Sequence, residues 1–237
     1  MHNNLYYRRI VIGDIHGCYR TLKKLIESQI KPEKDDHIYF VGDLIDRGPR
    51  SREVLDYIID LKWKGFNIYP VKGNHEDLFV KAFSDEEYLL AWFQNGAQET
   101  LQSFDIPENI INDYEGLRLI PESYIHFLSG LPYYYDLEDY IIVHAGLNLT
   151  SPDFFEDIHA MLWSREIKGL NFLNERKGII HGHTPMPIVT IKPNLTRKDS
   201  RNLNIDAGCV YKELPGYGIL AALELDSRKL YVQENVD

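Results

Sequence analysis

Five short apolar runs in this chain each end in an Asp, Asn or His beside a glycine: IVIGDIHG, IYFVGDLIDRG, IYPVKGNHE, YIIVHAG and GIIHGHT. A β-branched or aromatic run that stops at a glycine reads as a buried strand handing over to a tight loop. When parallel strands all carry ligand-type residues at that end, their loops share one edge, and open α/β sheets bind ligands there. Asp14, His16, Asp43, Asn74, His75, His144 and His183 are therefore expected to converge, although they span most of the chain.

The pattern between the runs supports this. A strand near 8–13 precedes an amphipathic helix carrying Cys18, Leu22, Leu25, Ile26 and Ile30, which Lys31-Pro32 ends. A strand near 37–42, a helix started by Pro49 and Ser51, and a strand near 66–71 after Gly65 complete a β-α-β-α-β unit. That order implies right-handed crossovers and a parallel sheet. Residues 76–131 read as a helical insert, with Ser84-x-x-Glu87 as a capping box and a second helix over 121–129. Trp92, Asn95 and Gly96 fall in it, and Trp92 reads equally as core or as part of a site mouth. Strands return near 140–144 and 178–182. The segments IVTI, LNIDAG and GILAALELD then suggest an antiparallel set that completes a second sheet, with PNLTRKDSRN as a solvated hairpin tip. The 237 residues are read as one domain.

Asp14-x-His16 puts two ligand-type side chains on one face of an extended backbone, within reach of one ion. Asp43 ends the neighbouring strand, and Asn74, His144 and His183 can hold a second ion. Six oxygen and imidazole donors without a thiolate suit Mn, Fe or Zn. Asp43 sits centrally and is the expected bridge. Two carboxylates against two divalent ions leave a net positive cluster that matches a phosphomonoester dianion. Such an ion pair can clamp an in-line displacement and acidify a bridging water as the nucleophile. His75 flanks the cluster as a candidate general acid, with Asp46 placed to hold its second ring nitrogen. Arg47 and Arg165 offer planar forks for phosphate oxygens. His181 shares the strand face of His183 and stays an alternative ligand.

The net charge of −10 argues against duplex nucleic acid or an anionic membrane as partner. The N-terminus lacks a signal-peptide core, no run approaches the ~20 apolar residues of a bilayer span, and Cys18 and Cys209 are too few for a disulfide framework. A cytoplasmic setting is expected. Nothing in the pattern specifies an oligomeric state.

The ordered set GDIHG, GDLIDRG, GNHE, HAG and HGHT, with LNIDAG after it, resembles the metallophosphoesterases of the phosphoprotein phosphatase family, in particular the bacterial and phage lambda-type branch. The resemblance implies an α/β calcineurin-like fold, a central β-sandwich of mixed sheets flanked by helices. It implies a two-metal site with Asp14, His16 and Asp43 on one ion and Asp43, Asn74, His144 and His183 on the other. It makes His75 the acid, paired with Asp46, and gives Arg47 and Arg165 to phosphate. One departure stands out: relatives commonly carry Arg before GNHE, where this chain has Lys72. The expected activity is a serine/threonine protein phosphatase, with phosphotyrosine as a further substrate class. The alternative is a bis(5'-nucleosyl)-tetraphosphate hydrolase, whose second motif usually lacks the aspartate found here as Asp46.

Overall fold

Alternation along the apolar runs decides which side of each strand is buried against what. In a computed structural model describing residues 7–111 and 114–237, Arg9–Ile12 forms β1, His37–Phe40 β2 and Asn67–Pro70 β3. They pair in parallel in the order β3-β2-β1. Ile10, Ile12, Ile38 and Phe40 point to one face and pack on the helices that connect the strands. Those are α1 (Tyr19–Lys24), continued by a π-helical turn over Leu25–Ile30, and α2 (Ser51–Trp63). Lys31 takes a left-handed backbone with φ 48° where the first helix ends. Gly65, with φ 81°, follows the end of α2. Val11, Tyr39, Val41 and Val71 point the other way, into a core shared with a second sheet.

That second sheet holds β4 (Tyr134–Asp136), β5 (Tyr140–Val143), β6 (Gly178–His181) and β7 (Asn202–Asn204), in that order. Between the two halves lie α3 (Asn74–Ala82), α4 (Glu86–Phe93), α5 (Ala97–Ser103), α6 (Tyr114–Leu117) and α7 (Glu122–Ser129). The cap of α4 falls one residue later than expected. The extended Asp85 accepts from the Glu87 N–H at 2.9 Å, while Ser84 turns back to the Lys81 carbonyl. A further helix, α8 (Ile158–Trp163), covers the outer face of the second sheet through Met161.

The last quarter departs from expectation in three ways. IVTI is not a strand: it opens α9 (Ile188–Thr196), and the residues it buries are Ile191 and Leu195, four apart rather than two. LNIDAG contributes β7, which pairs in parallel with β6. GILAALELD forms β8 (Ile219–Glu224), which pairs antiparallel with β1 in the first sheet and is followed by β9 (Lys229–Glu234). Alternation marks a strand but carries no address for its partner, and β1 had a free edge. PNLTRKDSRN is accordingly no hairpin tip but the end of α9 and its link to β7. Leu195 and Ser200 within it are buried, and Arg201 bonds the carbonyls of Leu170, Leu173, Asn174 and Lys177. Among the described residues no helix is long and apolar enough to cross a membrane.

Asp36 ties the start of β1 to the turn before β2. It is 4% exposed and accepts from the Arg8 backbone N–H at 3.0 Å, the Arg8 guanidinium at 2.5 Å and the Glu33 N–H at 2.8 Å. Burial works against its charged form, but the Arg8 and backbone hydrogen bonds win and hold its pKa below the usual carboxylate value. A folded pKa below the unfolded one adds stability above the unfolded value of about 4, and that stability is lost as pH falls through the folded value. Asp36→Asn is expected to cost about 1–3 kcal/mol at pH 7. Urea unfolding at pH 7 and at about pH 3 should show that gap closing in acid.

Candidate metal centre

The loops that leave β1, β2, β3, β5 and β6 at their C-terminal ends meet at one place. Direct bonds stitch them together: the Gly182 N–H donates to the His144 carbonyl at 2.8 Å, and the His183 N–H donates to Asp14 Oδ2 at 2.9 Å. The Asp43 carbonyl accepts from the N–H groups of both Ile15 and His16. A buried carboxylate, Glu76, clamps two loops at once by accepting from the Asp43, Leu44 and Gly73 N–H groups at 2.8–2.9 Å. Burial first, and then the Asp43 charge, push its pKa up to about 7 against those bonds.

The backbone is strained here. Of eight described non-glycine residues with positive φ, five are His16, Asp43, Asp46, Arg47 and His183. A left-handed non-glycine residue costs about 1–3 kcal/mol and persists only where its surroundings over-determine it. The Glu76 clamp and the Asp43 carbonyl bonds are that over-determination. Close approach also demands glycine. A Cβ on Gly182 would lie 1.8 Å from Asp14 Oδ1, and one on Gly73 2.2 Å from Asp43 Oδ1.

The side chains present convergent acceptors. His144 donates through Nδ1 to the Val41 carbonyl at 2.8 Å, which leaves a lone pair on Nε2. That nitrogen sits 2.8 Å from Asn74 Oδ1, 3.1 Å from His183 Nδ1 and 3.4 Å from Asp43 Oδ1. Asn74 Oδ1 and His183 Nδ1 are themselves 3.0 Å apart. The His16 Nδ1 is likewise taken by the Ile45 carbonyl, and its Nε2 faces Asp43 Oδ2 at 3.5 Å and the Arg47 guanidinium at 2.8 Å. Asp14 Oδ1 is buried with no partner. Donor atoms of His16, Asp43 and His75, and of Asp43, His144 and His183, form two groups within 4.8 Å that share Asp43. So many lone pairs aimed at one another, plus an orphaned carboxylate oxygen, fit cations better than a closed hydrogen-bond network.

The electrostatics point the same way. Burial, then Asp206 and Asp43, hold the Asp14 carboxyl well above its ordinary pKa. Burial and the neighbouring His144 push His183 down to about 3. His75 moves oppositely. Burial lowers its pKa, but Asp43 and the Asp46 hydrogen bond raise it further, for a net increase.

Next to this cluster, His75 Nδ1 lies 2.7 Å from Asp46 Oδ2. Two residues of the intervening helices hold that carboxylate. Trp92 Nε1 donates to Oδ2 at 2.8 Å and the Thr100 hydroxyl to Oδ1 at 2.6 Å. The His75 Nε2 is buried without a partner and sits 3.9 Å from Asp43 Oδ2. A cleft of about 550 Å³ opens over these groups, with Arg47, Arg165, Asn95 and Tyr211 among its walls.

Every residue of the sequence-derived list thus lies in or beside this cluster. His181 does not join it, because its Nε2 is engaged by Asn202 Oδ1 at 2.8 Å. Lys72 turns away from the cleft, with its ammonium bonded to the Ser129 carbonyl at 3.0 Å and 5.1 Å from the Tyr133 ring. Cys18 is packed in the core, and its thiol accepts from Asn235. Trp92 is fully buried yet also touches the site through Asp46. Glu76 is read from sequence only as part of the GNHE motif and not as a clamp, and Thr100, Asp206 and Tyr211 are not singled out there. Only Glu76, adjacent to Asn74-His75, had a local signal.

A family profile of calcineurin-like phosphoesterases matches residues 7–218. The serine/threonine-protein phosphatase 1 of Salmonella typhimurium is 30% identical over 215 residues, 85% of this chain and 86% of that one. The asymmetrical bis(5'-nucleosyl)-tetraphosphatase PrpE of Bacillus cereus is 26% identical over 232 residues, covering 85% of each chain. A solved serine/threonine phosphatase from Saccharomyces cerevisiae superposes with a TM-score of 0.64 at 16% identity, covering 100% of this chain and 82% of its own. At that identity the last likeness concerns the fold alone.

Proposed function

The chain belongs to the calcineurin-like phosphoesterase family, and from that premise we propose that it is a two-metal phosphomonoester hydrolase acting on phosphoserine and phosphothreonine in proteins. Asp14, His16 and Asp43 hold one ion, and Asp43, Asn74, His144 and His183 the other. Mn is the preferred occupant and Fe or Zn the alternatives, since the donors are oxygen and imidazole. Bound there, divalent ions supply positive charge for the phosphoryl oxygens and a nucleophile at neutral pH. Arg47 and Arg165 orient the phosphate from the cleft walls.

The observation that carries the substrate class is the Asp46–His75 pair. Asp46 fixes the ring through Nδ1, joins Asp43 in favouring its protonated form, and leaves Nε2 facing the cluster with no other partner. A serine or threonine alkoxide is a poor leaving group and needs that proton. A phosphoanhydride releases a nucleotide, a far better leaving group. The Asp46 carboxylate is itself held by Trp92 and Thr100, two residues of the helical segment. Similarity to PrpE at nearly equal coverage favours dinucleoside tetraphosphate hydrolysis as the second reading. A cytoplasmic location accords with a phosphoprotein substrate.

The deciding experiment strips the metal, restores Mn²⁺, and compares para-nitrophenyl phosphate, a phosphothreonine peptide and diadenosine tetraphosphate. Metal-restored turnover of the first two is expected. Turnover confined to the dinucleotide would overturn the proposal.

Thr100→Val tests the support of Asp46. The variant leaves Oδ1 of a buried carboxylate short of its donor, and a stability loss of about 1–3 kcal/mol is expected. Phosphothreonine turnover should fall more than para-nitrophenyl phosphate turnover. Equal effects on both substrates would reduce Thr100 to a packing residue.

A further inference from the structure

A second, smaller cavity of about 220 Å³ adjoins the cleft, and Arg165 and Thr184 line both. It lies where α9 meets β7, the last strand of its sheet. Its chemistry differs from that of the metal cluster. The walls carry no carboxylate and, apart from Arg165 at the shared border, no Lys or Arg. Met186 and Ile191 give an apolar floor. Above it stand the Asn194 amide and the Thr190 hydroxyl, both solvent-exposed and available to a ligand. Asn202 uses its Oδ1 on His181 and keeps its amide N–H groups free.

The edge of β7 adds main-chain groups. Arg201 and Ile205 bond to β6, through Ile179 N–H to the Arg201 carbonyl and Ile205 N–H to the His181 carbonyl. Alternate residues of a strand bond to opposite sides, so the main chains of Asn202 and Asn204 face away from β6, where the sheet has no further strand.

From these features we infer that the side cavity is a subsite for one neutral residue of an extended peptide directly flanking the phosphorylated residue. The inference rests on the phosphoprotein reading proposed above. Side-chain amides and an open strand edge offer paired donors and acceptors of the kind a peptide group needs. A nucleobase fits less well, because the walls carry no Phe, Tyr or Trp ring for it to stack on. Continuity through Arg165 sets the geometry. A phosphate gripped there has its carrier chain leaving past Thr184 into the cavity. The missing charges set the preference: an uncharged residue enters, since the walls offer an acidic or basic one no partner beyond the Arg165 already assigned to the phosphate.

The test uses Mn²⁺-loaded protein and a minimal phosphothreonine peptide extended by one alanine, one lysine or one glutamate on either side. In the wild-type protein, alanine on one particular side should raise kcat/KM about five- to tenfold, as one or two new hydrogen bonds would. Lysine or glutamate at the same place should give less than half that gain. In Asn194→Ala/Thr190→Val the ratio of extended to minimal peptide should fall below twofold. No gain on either side, or a gain that survives the double substitution, would overturn the subsite. Diadenosine tetraphosphate forms the separate arm. If para-nitrophenyl phosphate is turned over but no phosphopeptide is, the phosphoprotein reading itself has failed. Loss of dinucleotide turnover in the double variant would then assign the cavity to a nucleoside and overturn the peptide subsite on its own evidence.

Discussion

Asp43→Asn is expected to abolish binding of at least one ion and to lower phosphomonoester turnover by more than about a hundredfold, the upper end of what losing an outer-shell partner alone does at a metal site. Asparagine is the cleanest replacement here. Asp43 sits at φ 49°, a left-handed backbone that Asn also tolerates, so the loop should keep its shape. An Asn Oδ1 can still accept the His75 N–H that Asp43 Oδ1 takes at 3.3 Å. What disappears is one negative charge at the point shared by both groups of donors. That charge raises the pKa of Asp14, Asp206 and Glu76, so its removal relieves repulsion among buried carboxylates. The substitution also removes the attraction of the His144, His75 and His16 imidazoles, which against burial holds the Asp43 carboxyl below the usual carboxylate range. The two effects oppose, and the metal-free variant should stay close in stability to the metal-free wild type. Calorimetric metal titration and thermal unfolding in chelator check both halves. Two ions bound with wild-type affinity would remove Asp43 from the bridging position. A large stability loss without metal would show that the charge is structural.

The convergence of Asp14, His16, Asp43, Asn74, His144 and His183 was legible because each stands where an apolar run meets a glycine. Parallel pairing of β1, β2 and β3 turns that local sign into a shared edge. The same local reading failed where the deciding term was not local. IVTI has the composition of a strand, but Ile191 and Leu195 find their core at helical spacing, between the sheets. GILAALELD alternates like any strand, and only the free edge of β1 selects its partner. Trp92 and Thr100 reach Asp46 across 46 and 54 residues from the helical segment, and no pattern around either marks that contact. Lys72, where relatives commonly carry Arg, satisfies the end of α7 instead of facing the cleft. Residues aimed by their own strand could be read from sequence. Residues that support them from another element could not.

His75→Asn should spare both ions and slow the enzyme according to its leaving group. Its Nδ1 is already committed to Asp46, and its free Nε2 lies 3.9 Å from Asp43 Oδ2, a separation two ligands of one ion could also have, so metal binding by the variant is the readout that separates the two roles. A positioned acid is worth about 10²–10⁴-fold when the departing oxygen is basic, and far less when it leaves readily as an anion. The expected result is a loss in that range on phosphothreonine peptide and a much smaller one on para-nitrophenyl phosphate. The variant also strips Asp46 Oδ2 of one of its two donors and leaves Trp92 alone on that oxygen. Asp46→Asn should then reproduce the selectivity in milder form, because the imidazole stays but loses one of the two carboxylates that favour its protonated form. Losses of equal size on both substrates would mean that His75 positions rather than protonates. Loss of an ion in His75→Asn would move the imidazole into the ligand set, the role its grouping with His16 and Asp43 would otherwise suggest.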